Sequence, residues 1–246
     1  MVKARRGSAF DPLVCDVFLA LSRTDVLWTV LRADDLASIV AELEPDDRIE
    51  LLDESRLDRV AHAFAKIIDA KSPYTSQHSV GVAAYAVAIG SELGWAKDDL
   101  RRLRRAGLVH DIGKLGISSR ILDKPGALSD DEFTKMQTHA ALSYDILARV
   151  PALRSLAASA ASHHERLDGS GYPRGLNGHD ICLASRVLAV ADIYEALTAE
   201  RPYRAAMPGD QALKIVREQA PVKLWDEAVA ALERSLQASV PTSLAA

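Results

Sequence analysis

The chain has 246 residues, of which 48% are hydrophobic and 26% charged, and a net charge of −4. That length suits one large domain or one domain with an appendage, and the composition is globular with ample material for a core. The slightly acidic balance excludes a general nucleic-acid binder, although a small phosphate ligand needs only a local basic site.

Residues 1–56 read as helical but irregular, an N-terminal accessory region of unassigned role joined through "EPDDRIE". A main domain then runs over 57–246. It opens with "LDRVAHAFAKIIDA", where Leu57, Val60, Ala61, Phe64, Ile67 and Ile68 recur at three and four and form one apolar helical stripe. Ser72-Pro73 breaks that helix. A second segment over 75–93 stops at Gly94, and a third starts near the paired acids Asp98-Asp99 and reaches His110. Ser129 with Glu132 makes a capping box that opens a helix to residue 149. Pro151 is expected to start the next, with Leu153, Leu156, Ala157, Ala160, Ala161 and His164 on one face. Residues 183–199 form a further helix and 209–236 one or two more. No alternating strand is evident, so the expected class is all-α. Residues 165–182 differ: Gly169, Gly171, Gly175, Gly178 and Pro173 make a glycine-rich loop of a length that is usually functional.

Cys15 and Cys182 are far apart and in no motif, so a reducing, cytoplasmic setting is expected rather than a disulfide framework. No apolar run reaches the length of a membrane span, and the basic opening "MVKARRGSAFDPL" lacks the apolar core of a secretory signal.

Five of the seven histidines stand where chemistry is plausible. In "HDIGK", His110 and Asp111 fall at a helix end. A carboxylate can bridge two metals while an imidazole binds one, so the doublet suits a two-metal centre. A terminal histidine on the helix dipole beside a solvated aspartate would read the same way. His139 lies near the apolar side of its helix, as a satisfied core histidine would. His78 begins a helix, where it would also serve as a cap. His163 and His164 are adjacent at a helix end, about 100° apart by helical geometry. Asp192 is the most telling position. It sits in "SRVLAVADIYEALT", apolar on most of its circumference, where a buried carboxylate requires a cation or a full hydrogen-bond set. His62 and His179 lack any such context. No single residue is diagnostic; their joint occurrence with the glycine loop is.

"HDIGKLGI", "ILDKPGALS", "MQTHA", "HHERLDGSGYP", "VADIYEALT" and "RPYRAAM" occur in that order, and over about residues 57–240 the chain resembles the HD-GYP family of the HD metal-dependent phosphohydrolases. The resemblance implies an all-α bundle around a multinuclear metal site that hydrolyses bacterial cyclic dinucleotides, chiefly cyclic di-GMP. By position, His78, His110, Asp111, His139, His163, His164 and Asp192 correspond to metal ligands. Lys114 corresponds to the lysine near the scissile phosphate, and Arg201 and Arg204 to residues that hold substrate phosphates. Tyr172 belongs to the signature loop, which the family links to closing the site and to partners. A second copy of the chain or a signalling protein is therefore expected to meet this loop or the N-terminal region. The expected cofactors are two divalent metal ions, iron or manganese, although zinc, nickel and cobalt also suit such ligands. Asp111 would bridge the pair, and the metals would lower the pKa of an attacking water.

Two positions depart from the family. Tyr74 stands where some members carry a glutamate that helps hold a third metal, and Glu195 stands where aspartate is commoner. The first 56 residues match no sensor domain. Two rivals remain: an HD phosphohydrolase acting on another nucleotide, and a module that binds a cyclic dinucleotide or a partner without turnover. The preference between cyclic di-GMP and cyclic GMP-AMP stays open.

Overall fold

The computed structural model describes residues 2–7, 10–43, 53–71, 77–200 and 205–238. Tyr74, Arg201 and Arg204 lie outside the described residues. The chain forms two compact units, Met1–Leu51 and Leu52–Ala246.

The first unit carries three helices, α1 (Pro12–Leu21), α2 (Asp25–Leu31) and α3 (Leu36–Leu43). Asp11 caps α1, its side chain accepting from the backbone N–H groups of Leu13 and Val14, with Pro12 at the first helical position where no donor is needed.

The second unit holds the other nine helices of the described residues. Asp53 caps α4 (Glu54–Ala70), accepting from Arg56 N–H. Helix α5 (His78–Glu92) ends as expected before Gly94, which takes a φ of 77°. Helix α6 (Lys97–Val109) has Asp98 and Asp99 in its first turn, where carboxylates favour the helix dipole. A 3-10 turn over Ile112–Gly116 and the short α7 (Ser119–Leu122) follow. Helix α8 (Asp130–Arg149) opens with the full Ser129–Glu132 capping box. Then come α9 (Ala157–Ala161), α10 (Leu183–Thr198), α11 (Gly209–Gln219) and α12 (Asp226–Ala238). No strand occurs among the described residues, only two isolated bridges.

Helix α5 is central, packed against α6, α10 and α12. Val82, Ala86 and Ile89 of α5, Leu103 and Val109 of α6, Val187 and Leu188 of α10 and Leu232 of α12 are buried in one continuous core. Small residues dominate α5, which lets its neighbours approach closely. Its first turn, the end of α6, the middle of α8, the end of α9 and the middle of α10 converge at one end of this core.

One expected element differs. The segment from Pro151 is not a continuous helix but a turn, a 3-10 stretch over Arg154–Leu156 and then the five-residue α9. The chain must leave the end of α8 sharply. Leu153 and Arg154 both donate to the Val150 carbonyl and Leu156 donates to that of Leu153, a mixture of i→i−3 and i→i−4 bonds in place of a continuous α ladder. Leu153, Leu156, Ala157, Ala160 and Ala161 are buried as their spacing predicts. His164, however, falls beyond the helix, in a turn closed by Glu165 N–H on the Ser162 carbonyl.

Candidate metal centre

Asp111 sits at the middle of the converging elements, its side chain almost wholly buried between α6 and the 3-10 turn. Its Oδ2 lies 3.2 Å from His110 Nε2 and 3.6 Å from His78 Nε2. Its Oδ1 faces the other way, 3.3 Å from His139 Nε2 and 3.8 Å from His163 Nε2. Asp192 closes the far side, with Oδ1 3.3 Å from His78 Nε2 and 3.9 Å from His110 Nε2, and Oδ2 3.9 Å from His164 Nδ1. The seven residues that the sequence proposes as ligands are thus brought together. His62 and His179 lie outside the cluster. The donor atoms fall into two groups, Asp111 with His139, His163 and His164, and His78 with His110 and Asp192.

The outer nitrogen of each inner ring is already committed. His110 Nδ1 donates to the Gly107 carbonyl at 2.7 Å, and His139 Nδ1 and His163 Nδ1 donate to the Met136 and Ala160 carbonyls, each at 2.6 Å. In every case the acceptor is the carbonyl three residues earlier. With Nδ1–H so engaged, each Nε2 presents a lone pair to the centre. Asp111 Oδ1 is also an acceptor, so its approach to His139 and His163 sets lone pairs facing lone pairs. The Nε2 atoms of His110, His139 and His163 and Oδ1 of Asp111 are buried without a hydrogen-bond partner. Such unpaired groups are costly, and cations bound among them would relieve all four. The residues present therefore fit a metal centre, and the two donor groups fit two ions.

Electrostatics follow from the same geometry. Burial pushes the Asp111 carboxyl up, but the adjacent Lys114 ammonium and His110 hold it well below the usual carboxylate range. Asp192 is likewise driven low, hydrogen bonding from His78 outweighing burial. Burial, with His110 nearby, lowers His163 to about 3, so this ring is neutral. His78 goes the opposite way. Burial disfavours its charge, yet the carboxylates of Asp111, Asp192 and Glu195 raise it well above the ordinary histidine value.

Lys114 forms an ion pair with Asp111 Oδ2. Tyr172 lies over His164, ring centroids 4.6 Å apart and planes tilted by 32°. Burial and the two central carboxylates raise its phenol pKa, so it stays a hydrogen-bond donor.

Three supporting residues were not assigned a role by sequence reasoning. Glu195, one turn after Asp192 on α10, accepts from His78 Nδ1 and turns that ring's Nε2 inward. The sequence signal was an acid three residues after Asp192 on an apolar helix. Ser143, one turn after His139, accepts from Gly113 N–H at 2.9 Å and donates to the His110 carbonyl at 2.8 Å, tying the 3-10 turn to α8. Glu165 is buried and accepts from the backbone N–H groups of Arg174 and Leu176 at 2.8 and 2.9 Å, which folds the glycine loop back on itself. Its place directly after the histidine pair was the available clue. Gly171 is required by close approach: a Cβ there would stand 2.5 Å from the backbone of His164, Glu165 and Arg166.

A buried cluster of five histidines and two aspartates in an all-α unit defines a metal-centre domain of the HD type. The HD domain family model matches residues 62–229. The chain belongs to the HD domain family, and its signatures are those of the HD-GYP type. It is 46% identical over 235 residues to a protein named 3′3′-cGAMP-specific phosphodiesterase 3 of Vibrio cholerae, covering 96% of this chain and 51% of that protein. It is 39% identical over 142 residues to a cyclic di-GMP phosphodiesterase of Thermotoga maritima, covering 57% of this chain and 39% of that protein. Among solved structures it resembles a cyclic GMP-AMP specific phosphodiesterase of V. cholerae, with a TM-score of 0.54, 41% identity, and coverage of 98% of this chain and 55% of that one. The chain spans about half or less of the length of these relatives. No helix among the described residues is long and apolar enough to cross a membrane.

Proposed function

We propose that this chain hydrolyses a phosphodiester bond of a bacterial cyclic dinucleotide. The observation that carries the reading is the set of four buried, unpartnered acceptor atoms converging between Asp111 and three histidines. His139, His163, His164 and Asp111 would hold one divalent ion, and His78, His110 and Asp192 the other, with Asp111 shared because its two oxygens face the two groups. The donor set suits iron or manganese. When bound, such ions polarise a phosphoryl oxygen and lower the pKa of water to supply a nucleophile near neutral pH.

The chain's own residues do the rest. Asp111 and Asp192 remain ionised in the buried site and set its negative charge. Glu195 holds the His78 ring in place. Lys114, anchored on Asp111 at the partly exposed edge of the cluster, is placed to neutralise charge that develops on a phosphoryl oxygen. Tyr172 offers an aromatic face and a retained O–H above His164, suited to stacking on a nucleobase. Arg201 and Arg204 are assigned to substrate phosphates on the family resemblance.

The resemblance of the sequence favours cyclic di-GMP as substrate. The name of the relative that covers 96% of the chain favours testing 3′3′-cGAMP beside it. The test is anaerobic loading with iron or manganese, metal analysis, and chromatography of the products from each cyclic dinucleotide. Linearised product from either supports the proposal. Binding without product would leave a sensor.

A further inference from the structure

Arginines withdrawn from solvent in the second unit normally have their donors used. Arg105 is buried and pairs with Asp58 at 2.6 Å and Glu54 at 2.7 Å. Arg186 donates to the carbonyls of Ile181 and Gly178 and lies over the Trp225 ring. Arg166 is the exception. It is half-buried, two residues after His164, and its guanidinium makes a single long hydrogen bond, Nη1 to the Glu165 carbonyl at 3.3 Å. It forms no ion pair among the described residues. The second unit's segments outside them, 72–76, 201–204 and 239–246, contain no aspartate or glutamate in sequence. A guanidinium carries about five N–H donors in a rigid fork, so most of this one's are uncommitted.

Its surroundings are specific. Two residues before it, the His164 carbonyl accepts from Tyr172 N–H at 3.3 Å and the His164 ring lies under the Tyr172 ring, so the Arg166 segment runs along the Tyr172 side of the cluster, within electrostatic reach of Asp192. Its backbone is pinned. The absent Cβ of Gly171 lets that residue lie directly against Arg166 N, and the Arg166 carbonyl accepts from Gly169 N–H at 2.9 Å. Glu165, next to it, ties down the far side of the loop. A cation on a pinned stretch of backbone beside the cluster, with no carboxylate among the described residues at ion-pair distance, matches a ligand that brings its own anion. The planar fork suits the paired non-bridging oxygens of a phosphodiester.

We propose that Arg166 is a substrate-holding residue whose guanidinium takes a phosphodiester of the bound cyclic dinucleotide on the Tyr172 side of the cluster. The assignment rests on the function proposed above. It adds a phosphate contact inside "HHERLDGSGYP" itself, separate from Lys114 and from Arg201 and Arg204.

The test compares metal-loaded wild-type protein with Arg166→Ala and Arg166→Lys, measuring the dissociation constant for cyclic di-GMP and for 3′3′-cGAMP, KM and kcat, metal content and thermal midpoint. Arg166→Ala is expected to weaken dinucleotide binding by about tenfold or more, the scale of a lost charged hydrogen bond. The loss should fall on KM more than on kcat, with metal content and midpoint kept, and Arg166→Lys should recover part of it. If Arg166→Ala binds as the wild type does, or loses affinity only in proportion to lost metal or lost folding, Arg166 is a structural residue. If the lysine variant alone folds, its affinity decides: wild-type affinity with single-point charge retained and no loss in added salt overturns the fork contact. Should the wild type bind but not hydrolyse, the enzymatic reading fails while the dissociation constants still judge Arg166. Should it neither bind nor hydrolyse either dinucleotide, both fall.

Discussion

Replacing Gly113 by alanine attacks the joint between the two halves of the metal centre. A Cβ there would lie 1.9 Å from the His139 carbonyl oxygen, 2.7 Å from Ser143 N and 2.8 Å from His139 C. These are backbone atoms, so no rotamer relieves the overlap. An ordinary C···O approach is about 3.3 Å, so against the 1.9 Å here the turn carrying His110 and Asp111 has to retreat from α8 by about 1.4 Å. That breaks the bridge in which Ser143 Oγ accepts from Gly113 and donates to the His110 carbonyl. Overpacking costs about 1–3 kcal/mol, and each hydrogen bond adds about 1 kcal/mol. The sum is about 3–5 kcal/mol, a large part of the roughly 5–15 kcal/mol that holds a domain folded. At about 2–4 °C per kcal/mol for a domain of this size, the thermal midpoint should fall by about 6–20 °C. Metal uptake should fall with it, because Asp111 moves away from His139. The assay is thermal circular dichroism of the metal-free protein, with metal titration at a temperature where both proteins are folded. Gly116→Ala is the control: its Cβ meets only Leu142, at the tip of a flexible side chain 2.9 Å away, and should cost under about 1 kcal/mol. A Gly113→Ala midpoint within about 2 °C of wild type would refute the reasoning.

Asp111→Ala removes the carboxylate that faces both donor groups, and should abolish turnover and lower metal content while leaving helical circular dichroism largely intact; near-normal activity would remove the shared-ligand mechanism. Replacing Arg201 and Arg204 together with alanine should raise KM before it affects metal content, and unchanged substrate affinity would return both to a solvated basic face. The metal count should be two per chain. By the family resemblance Tyr74 stands where some members carry the carboxylate for a third metal, and an unperturbed phenol with a pKa of about 10 is a poor ligand at neutral pH. Anomalous scattering from metal-loaded crystals reads the number directly, and three well-occupied peaks would defeat the count.

Helix limits were legible wherever a side chain signals them. The Ser129–Glu132 box, Gly94 and the Asp98-Asp99 pair stand where the sequence places them, because caps act locally. The break at Pro151 was not legible. A proline favours a helix start, but the tight exit from α8 overrides that preference, and tertiary packing does not show in local spacing. The cluster was legible as residue types: His110, Asp111, His139, His163, His164, His78 and Asp192 do meet. What aims them was not. Three of the five rings are oriented by main-chain carbonyls, which every sequence has, and the fourth by Glu195 across 117 positions of chain. The close passage of Gly113 against α8 was hidden for the same reason, since it depends on two elements brought together by the fold.

The central claim is that this cluster hydrolyses a cyclic dinucleotide, and the most direct measurement is product formation by the metal-loaded wild-type chain. Anaerobically reconstituted protein, incubated separately with cyclic di-GMP and 3′3′-cGAMP, should yield a linear or fully cleaved nucleotide from at least one of them, and chelation of the metal should stop the reaction. Intact dinucleotide after hours with protein shown to carry its metals would contradict the claim.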